Sequence, residues 1–369
     1  MRVLIAPDKF AGTLTAVQAA EAIAEGWRQT SPADDLVLAP LADGGPGFLD
    51  AVHAALGGQL LAVPATDPLG REVAAPVLVV DDTAYVEAAE ACGLALVAPE
   101  DRDPTVTSTY GVGALVLAAL ESGARRLVVG VGGSATNDGG AGLLAALGAR
   151  VVDGPADALR RGGLGLTEVA DVDLGPACER LAGVELVLAS DVDSPLAGPG
   201  GASMAFAAQK GASFEQAAQL DAALAHWGRI TDEKTARAAG AGAAGGLGHA
   251  LLLLGARREN GVEVVMRATG FADAVSQVDL VITGEGSFDA TSLRGKVPAG
   301  VARAATAVGR PVVVLAGRVE VGRREMAATG VESAYACAET PDQVAAAMAR
   351  PAEVLTALAA RVARTWSRR

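Results

Sequence analysis

The sequence predicts an α/β fold with parallel strands, and three observations predict it. Short apolar runs end repeatedly in acidic, glycine-bearing loops. Stretches between them open on helix-capping spacings and continue with helical periodicity. The composition, 51% hydrophobic but only 3% aromatic, argues against extended disorder and supplies cores of Ala, Val and Leu in which Gly admits close helix-to-sheet approach. At 369 residues the chain exceeds one typical core, so two domains are expected.

The first apolar run, Val3 to Ala6, leads into Pro7-Asp8-Lys9. A helix follows: Thr15 and Gln18 have capping-box spacing, Ala20, Ile23, Ala24 and Trp27 share one face, and Ser31-Pro32 stops it. Trp27 reads as core. Leu36 to Ala39 runs into Ala42-Asp43-Gly44-Gly45, and Leu127 to Gly130 into the glycine-rich stretch Val131 to Gly142, with helix-like Leu143 to Leu147 behind it. Between Ala149 and Gly183 the pattern loosens into Pro, Gly and acidic residues, which fits either a linker or an excursion of short strands. Leu186 to Ala189 leads into Ser190-Asp191-Val192-Asp193-Ser194. Ser213 and Gln216 repeat the capping-box spacing ahead of a helix over Ala217 to Trp227, which makes His226 structural. Leu280 to Thr283 ends in Gly284-Glu285-Gly286-Ser287-Phe288-Asp289. Parallel strands with such ends gather their carboxylates at one crevice.

The stretch Val131 to Gly142 reads as a phosphate loop: its glycines let backbone N–H groups turn toward an anion, its hydroxyls and amide can donate, and Asp138 can hold a cation. An ordinary strand-to-helix connection has the same glycines, and recurrence of acidic loops favours the ligand reading. Known nucleotide motifs are missing. Gly295-Lys296 is followed by Val297 and position 290 is Ala, so no P-loop is present, and neither His-Arg-Asp nor Asp-Phe-Gly occurs. No Gly-x-Gly-x-x-Gly follows the first strand, and Gly242 to Gly248 opens after a polar stretch. Of the three histidines only His249 lies near a glycine-rich loop, and its structural reading outweighs a triad.

A net charge of −13 with isolated basic pairs argues against a nucleic-acid surface. Cys92, Cys178 and Cys337 lack metal or disulfide spacing, and no apolar run is long enough for a membrane span, so a cytoplasmic protein without membrane attachment is expected. The acidic loops suit phosphoryl transfer, in which carboxylates hold magnesium, one orients the attacking hydroxyl, and cations neutralise the moving group. Asp191 and Asp193 alternate and so should not share one role. Lys9, Lys210 and Lys296 each stand beside such a loop, where phosphate contact and solvated surface are both open.

Together these blocks resemble the bacterial type I glycerate kinases. The resemblance runs nearly end to end, through Ala6 to Phe10, Ala42 to Gly45, Gly132 to Gly140, Asp191 to Asp193, Gln209-Lys210-Gly211-Ala212, Gly242 to Gly248, Thr283 to Gly286 and Gly295 to Pro298. It implies two α/β domains around a cleft: a discontinuous one from both chain ends, 1–75 plus 285–369, and a Rossmann- or flavodoxin-like one with a mostly parallel sheet over 76–284. It also implies ATP- and magnesium-dependent phosphorylation of D-glycerate to 2-phosphoglycerate, in a monomer or homodimer. A kinase for another small hydroxy acid and a non-catalytic sensor are the rival readings.

On this reading Asp191 accepts or orients the substrate hydroxyl, and Lys9 and Lys296 neutralise the transferring group. Gly132, Gly133, Ser134, Thr136, Asn137 and Asp138, with Gly284, Glu285 and Gly286, form the nucleotide side. Asp8, Asp43, Gly44, Gly45 and Asp289 face the substrate, and Asp43 and Asp191 are the magnesium candidates. The chain departs from the family pattern at Ala11, where Lys is usual, at Pro46 and Phe48 (often Glu and Thr), at Ser194 (Asn), at Ser287 (Arg) and at Thr291 (Gln). Arg294 is the cation placed to compensate at Ser287.

Overall fold

In the computed structural model, which describes residues 1–293 and 295–367, the apolar runs at the two ends of the chain build one five-stranded parallel sheet. Its order is Ser333–Ala336, Val312–Val319, Leu280–Phe288, Arg2–Ile5, Asp35–Leu38. Counted along this unit alone, that is the 2-1-3-4-5 order of a flavodoxin-like sheet, with its switch point between Arg2–Ile5 and Leu280–Phe288. The sequence reading placed that style in the central segment. The difference arises because the first strand pairs with a strand near the other chain end, Val3 opposite Leu280.

The chain separates into two compact units. The terminal unit comprises Met1–Asp43, Asp50–Gly57 and Asn260–Arg369, and the central unit Gly44–Leu49 and Gly58–Glu259. These limits move two segments from their expected places. Residues 58–75 belong to the central unit, because Gln59–Thr66 and Glu72–Val80 form an antiparallel hairpin paired onto Thr83–Glu87. Residues 260–284 belong to the terminal unit, because Leu280–Phe288 is hydrogen-bonded on both edges within its sheet.

In the terminal unit, helix Ala16–Thr30 begins at the expected box: Gln18 N donates to Thr15 Oγ1 (3.2 Å) and Thr15 N to Gln18 Oε1 (3.0 Å). Its face of Ala20, Ile23, Ala24 and Trp27 is buried; removing Ile23 alone from water stabilises by about 1.5–3 kcal/mol. Trp27 is core, its Nε1 donating to Asp34 at 2.9 Å. The helix lies against Pro351–Trp366 so closely that a Cβ on Gly26 would meet Thr356 O at 2.1 Å.

The central unit carries a six-stranded sheet in the order Arg257–Glu259, Glu185–Ala189, Arg126–Gly130, Thr83–Glu87, Glu72–Val80, Gln59–Thr66, parallel through the first four. Residues 149–183 form an excursion, with Arg150–Asp153 paired antiparallel to Asp171–Asp173, rather than a linker. Helix Phe214–Thr231 starts at Ser213 with the full capping box. His226 Nε2 bonds Val169 O at 2.6 Å, and buried His249 bonds Thr231 Oγ1 at 2.9 Å; burial pushes His249 down to about 4, so its ring is neutral and structural. No helix among the described residues is long and apolar enough to cross a membrane.

Candidate active site

At the switch point of the terminal sheet, Ala6 N donates to Ile282 O (2.7 Å) and Asp8 N to Gly284 O (2.8 Å), which lays Asp8 beside the Gly284-Glu285-Gly286 stretch. Asp8 is buried. That burial holds its carboxyl well above the usual range, although Lys9 opposes the shift through its backbone N, 2.7 Å from Asp8 Oδ1, and its ammonium. Lys9 Nζ stands 3.6 Å from Asp8 Oδ1 and 3.4 Å from Asp43 Oδ1, one cation between two carboxylates. Glu285 is also buried, and burial pushes it up to about 7 against the Ser292 hydrogen bond and the charge of Lys296. Its Oε1 has no hydrogen-bond partner among the described residues. A buried carboxylate oxygen without a partner among the described residues, in the field of Lys296, is what a bound polar ligand would satisfy.

Two predicted residues at this cluster hold the chain rather than face outward. Asp289 Oδ1 accepts from Thr291 N and Thr291 Oγ1, both at 2.7 Å, and closes its own loop; the Thr291 hydroxyl holds its carboxyl below the usual range. Gly284 is a packing glycine, since a Cβ there would stand 2.1 Å from Leu315 O. Lys296, half-buried, stands at the start of helix Val297–Ala307. Arg294 lies outside the described residues.

In the central unit the glycine-rich loop turns its side chains inward, contrary to the sequence reading. Thr136, Asn137 and Asp138 are fully buried. Asp138 accepts from Thr109 N and Oγ1 (both 2.8 Å), Gly140 N (3.1 Å) and Gly142 N (3.2 Å), so it fastens the loop to the helix behind it instead of presenting oxygens to a cation. Asn137 Nδ2 donates to Ser203 Oγ at 2.8 Å. The reason is a second glycine block packed underneath. Ala244, Gly245 and Gly246 are successive left-handed residues, and a Cβ on Gly245 would stand 2.0 Å from Thr136 O. Gly44-Gly45 serves in the same way: Gly132 N donates to Gly44 O at 3.0 Å, and a Cβ on Gly132 would lie 2.5 Å from Gly45 Cα. Gly133 is exposed and Gly132 partly so, which leaves their backbone as the accessible part of this loop.

Lys210 is neither a surface group nor an open phosphate contact. It is buried, donates to Ser134 Oγ (3.1 Å) and Thr136 O (2.7 Å), and burial pushes it down to about 8. Asp191 and Asp193 differ as their alternation predicted: Asp191 is half-buried just past strand Glu185–Ala189, whereas Asp193 is exposed and paired to Arg258 Nη2 at 2.6 Å. Glu87 was missed by the sequence reading. It is buried at the end of Thr83–Glu87 and accepts from Gly47 N (3.1 and 3.2 Å) and Leu49 N (3.2 Å), anchoring the Gly44–Leu49 loop; an acid ending the run Thr83 to Val86 was the available signal. Of the departures, Phe48 is core, tilted against Tyr85 at 6.1 Å, and Pro46 lies where a Cβ on Gly133 would touch it at 2.6 Å.

Residues 3–367 match the model of the Glycerate kinase family. The chain is 40% identical to the glycerate kinase of Bacillus subtilis strain 168 over 91% of this chain and 90% of that one. It is 42% identical to the glycerate 2-kinase of Escherichia coli K12 over 86% and 85%. The crystal structure of a glycerate kinase 2 from Salmonella typhimurium LT2 superposes with a TM-score of 0.82 at 37% identity, covering 99% of this chain and 98% of that one.

Proposed function

The chain belongs to the glycerate kinase family, and we propose on that premise that it transfers the terminal phosphoryl group of ATP to the 2-hydroxyl of D-glycerate. The observation that carries the reading is Lys9 held between buried Asp8 and half-buried Asp43, with buried Glu285, at the switch point, where an α/β sheet takes its ligand. The rival readings, another hydroxy acid or a sensor, find no support among the relatives.

Phosphoryl transfer asks for positioning and charge neutralisation more than covalent chemistry. Lys9 and Lys296 neutralise the transferring group, and Asp8 and Asp43 orient hydroxyls. The Glu285 oxygen that has no partner among the described residues accepts a hydrogen bond from the bound ligand. Asp191 accepts or orients the attacking hydroxyl proton, and the Gly132-Gly133 backbone offers N–H groups to a phosphate. A magnesium ion bound with the nucleotide would supply charge neutralisation. The described residues hold no group of three or more His, Cys, Asp or Glu able to hold an ion alone, and one or two carboxylates with phosphate oxygens are the usual magnesium set. Asp43 in the terminal unit and Asp191 in the central unit are separate candidates for that role. A reaction that draws on ATP fits a cytoplasmic enzyme.

Incubation with ATP, magnesium and D-glycerate, coupled separately to enolase and to phosphoglycerate mutase plus enolase, tests the reading. Signal with enolase alone supports a 2-kinase. A signal that requires the mutase makes the product 3-phosphoglycerate, and no signal with D-glycerate refutes the proposal.

A further inference from the structure

Within the terminal unit a cavity of about 250 Å³ opens next to the acidic cluster, and of the residues given a role above only Gly286 lines it. Its floor is the carboxyl end of the parallel sheet, at Gly286, Gly317 and Ala338 on three successive strands or just past them. Its roof is helix Pro341–Ala349, through Val344, Ala347 and Met348. The hollow exists because small residues meet there. A Cβ on Gly317 would stand 2.4 Å from Gly286 O, so two neighbouring strands carry no side chain at that level. Ala11 and Ser287, where the family pattern has Lys and Arg, add no bulk at the end nearest the acidic cluster.

The lining is apolar and uncharged apart from its mouth. The Thr13 hydroxyl donates to Phe10 O at 2.9 Å, and burial pushes the Cys337 thiol up to about 11, so it stays protonated. Arg318 is exposed and bonded to Glu320 at 3.0 Å. Met348, 59% exposed, leaves a flexible thioether at the opening. Such a slot gains nothing from a small carboxylate, whose charge would lose its water. Of the two substrates in the proposed reaction, only ATP carries a flat, largely apolar ring.

We propose that this hollow holds the purine base of ATP, with the triphosphate running back along Gly286 and Ser287 toward Lys9 and Lys296. The inference rests on the kinase reading and names where its nucleotide sits. Neighbouring strands stand about 4.8 Å apart, so the hollow over the Val312–Val319 and Ser333–Ala336 strand ends lies roughly 7–12 Å from the switch point, a span that a ribose and triphosphate cover. The arrangement is uncharged at the base and places two cations, Lys9 and Lys296, among the carboxylates where the phosphates arrive. Base recognition then comes from shape and backbone groups rather than from charged side chains, so other purine triphosphates are accepted with less than a hundredfold loss in kcat/KM.

Photolabelling of the wild-type protein with 8-azido-ATP, followed by peptide mapping, tests the placement. The expected label falls between residues 337 and 351 or between 10 and 13 and is competed away by ATP; a label confined to residues 58–259 overturns the proposal. Ala347→Phe fills the slot from its helical roof. It is expected to raise the KM for ATP at least tenfold while kcat and the KM for glycerate change less than threefold, and an unchanged KM for ATP in the folded variant overturns the proposal. Met348→Glu, at the exposed mouth, gives the same readout where the larger substitution fails to fold. The two readings fail separately. A label in the hollow without phosphoryl transfer to glycerate keeps the base site and removes the glycerate kinase reading, whereas transfer with the label elsewhere does the reverse.

Discussion

Glu285→Gln is expected to stabilise the folded chain at pH 8 and to leave it nearly unchanged at pH 5. Burial pushes the Glu285 carboxyl from its ordinary 4.5 up to about 7. Between those values the folded state keeps a proton that the unfolded chain has released, so stability falls as pH rises through that window. At 1.36 kcal/mol per unit, the ionised side chain costs the folded state roughly 3 kcal/mol at pH 8 and under about 1 kcal/mol at pH 5. An amide of the same size carries no such charge. Urea unfolding of both proteins at the two pH values measures the difference: the wild type should lose stability relative to the variant as pH rises, by about 2–3 kcal/mol. An equal gap at both pH values would refute the argument that Glu285 is strained by desolvation. Activity should move the other way, with the more stable variant at least tenfold slower if the carboxylate serves the site.

The fastened loop gives a second test: Asp138→Ala strands the buried donors Thr109 N, Gly140 N and Gly142 N and should cost about 3–5 kcal/mol in urea unfolding, and a loss below about 1 kcal/mol would show that the loop holds without it. Gly245→Ala puts a Cβ about where Thr136 O stands and forces an L residue into φ +69°, so a loss of about 2–5 kcal/mol is expected in thermal unfolding. Asp191→Asn should lower kcat about 10²- to 10⁴-fold with an unchanged circular dichroism spectrum. Near-normal turnover would remove Asp191 from the chemistry.

What the sequence made legible was local. Thr15 with Gln18 and Ser213 with Gln216 announced two helix starts, because a capping box is satisfied within four residues whatever the rest of the chain does. The strands ending before Asp8, Asp43 and Asp191 were legible in the same local way, whereas the run read as stopping at Thr283 continues as strand through Phe288. The strand order was not, since it depends on pairings such as Thr283 Oγ1 to Ala6 O, 2.8 Å apart across 277 residues. Nor was the direction of Thr136 and Asn137, which is set by the left-handed turn at Ala244 to Gly246 packed beneath them. Hydroxyls beside glycines are consistent with both a phosphate cradle and a buried fastening, and only the distant packing partner decides between them.

The glycines and the carboxylates therefore carry different kinds of information. Gly26, Gly132, Gly245 and Gly284 are each explained by a backbone atom or neighbour within 2.0–2.5 Å of a would-be Cβ, so folding alone requires them. Asp8 and Glu285 have no such account. Both are buried, both are held above the ordinary carboxylate range by that burial, and a hydrophobic or amide side chain of similar size would leave the fold more stable at neutral pH. Groups that weaken a fold while standing next to cations at the carboxyl edge of a parallel sheet are kept for what they do to a ligand. The strongest evidence for a site in this chain is accordingly its two most unfavourable side chains in the terminal unit rather than its most glycine-rich loop.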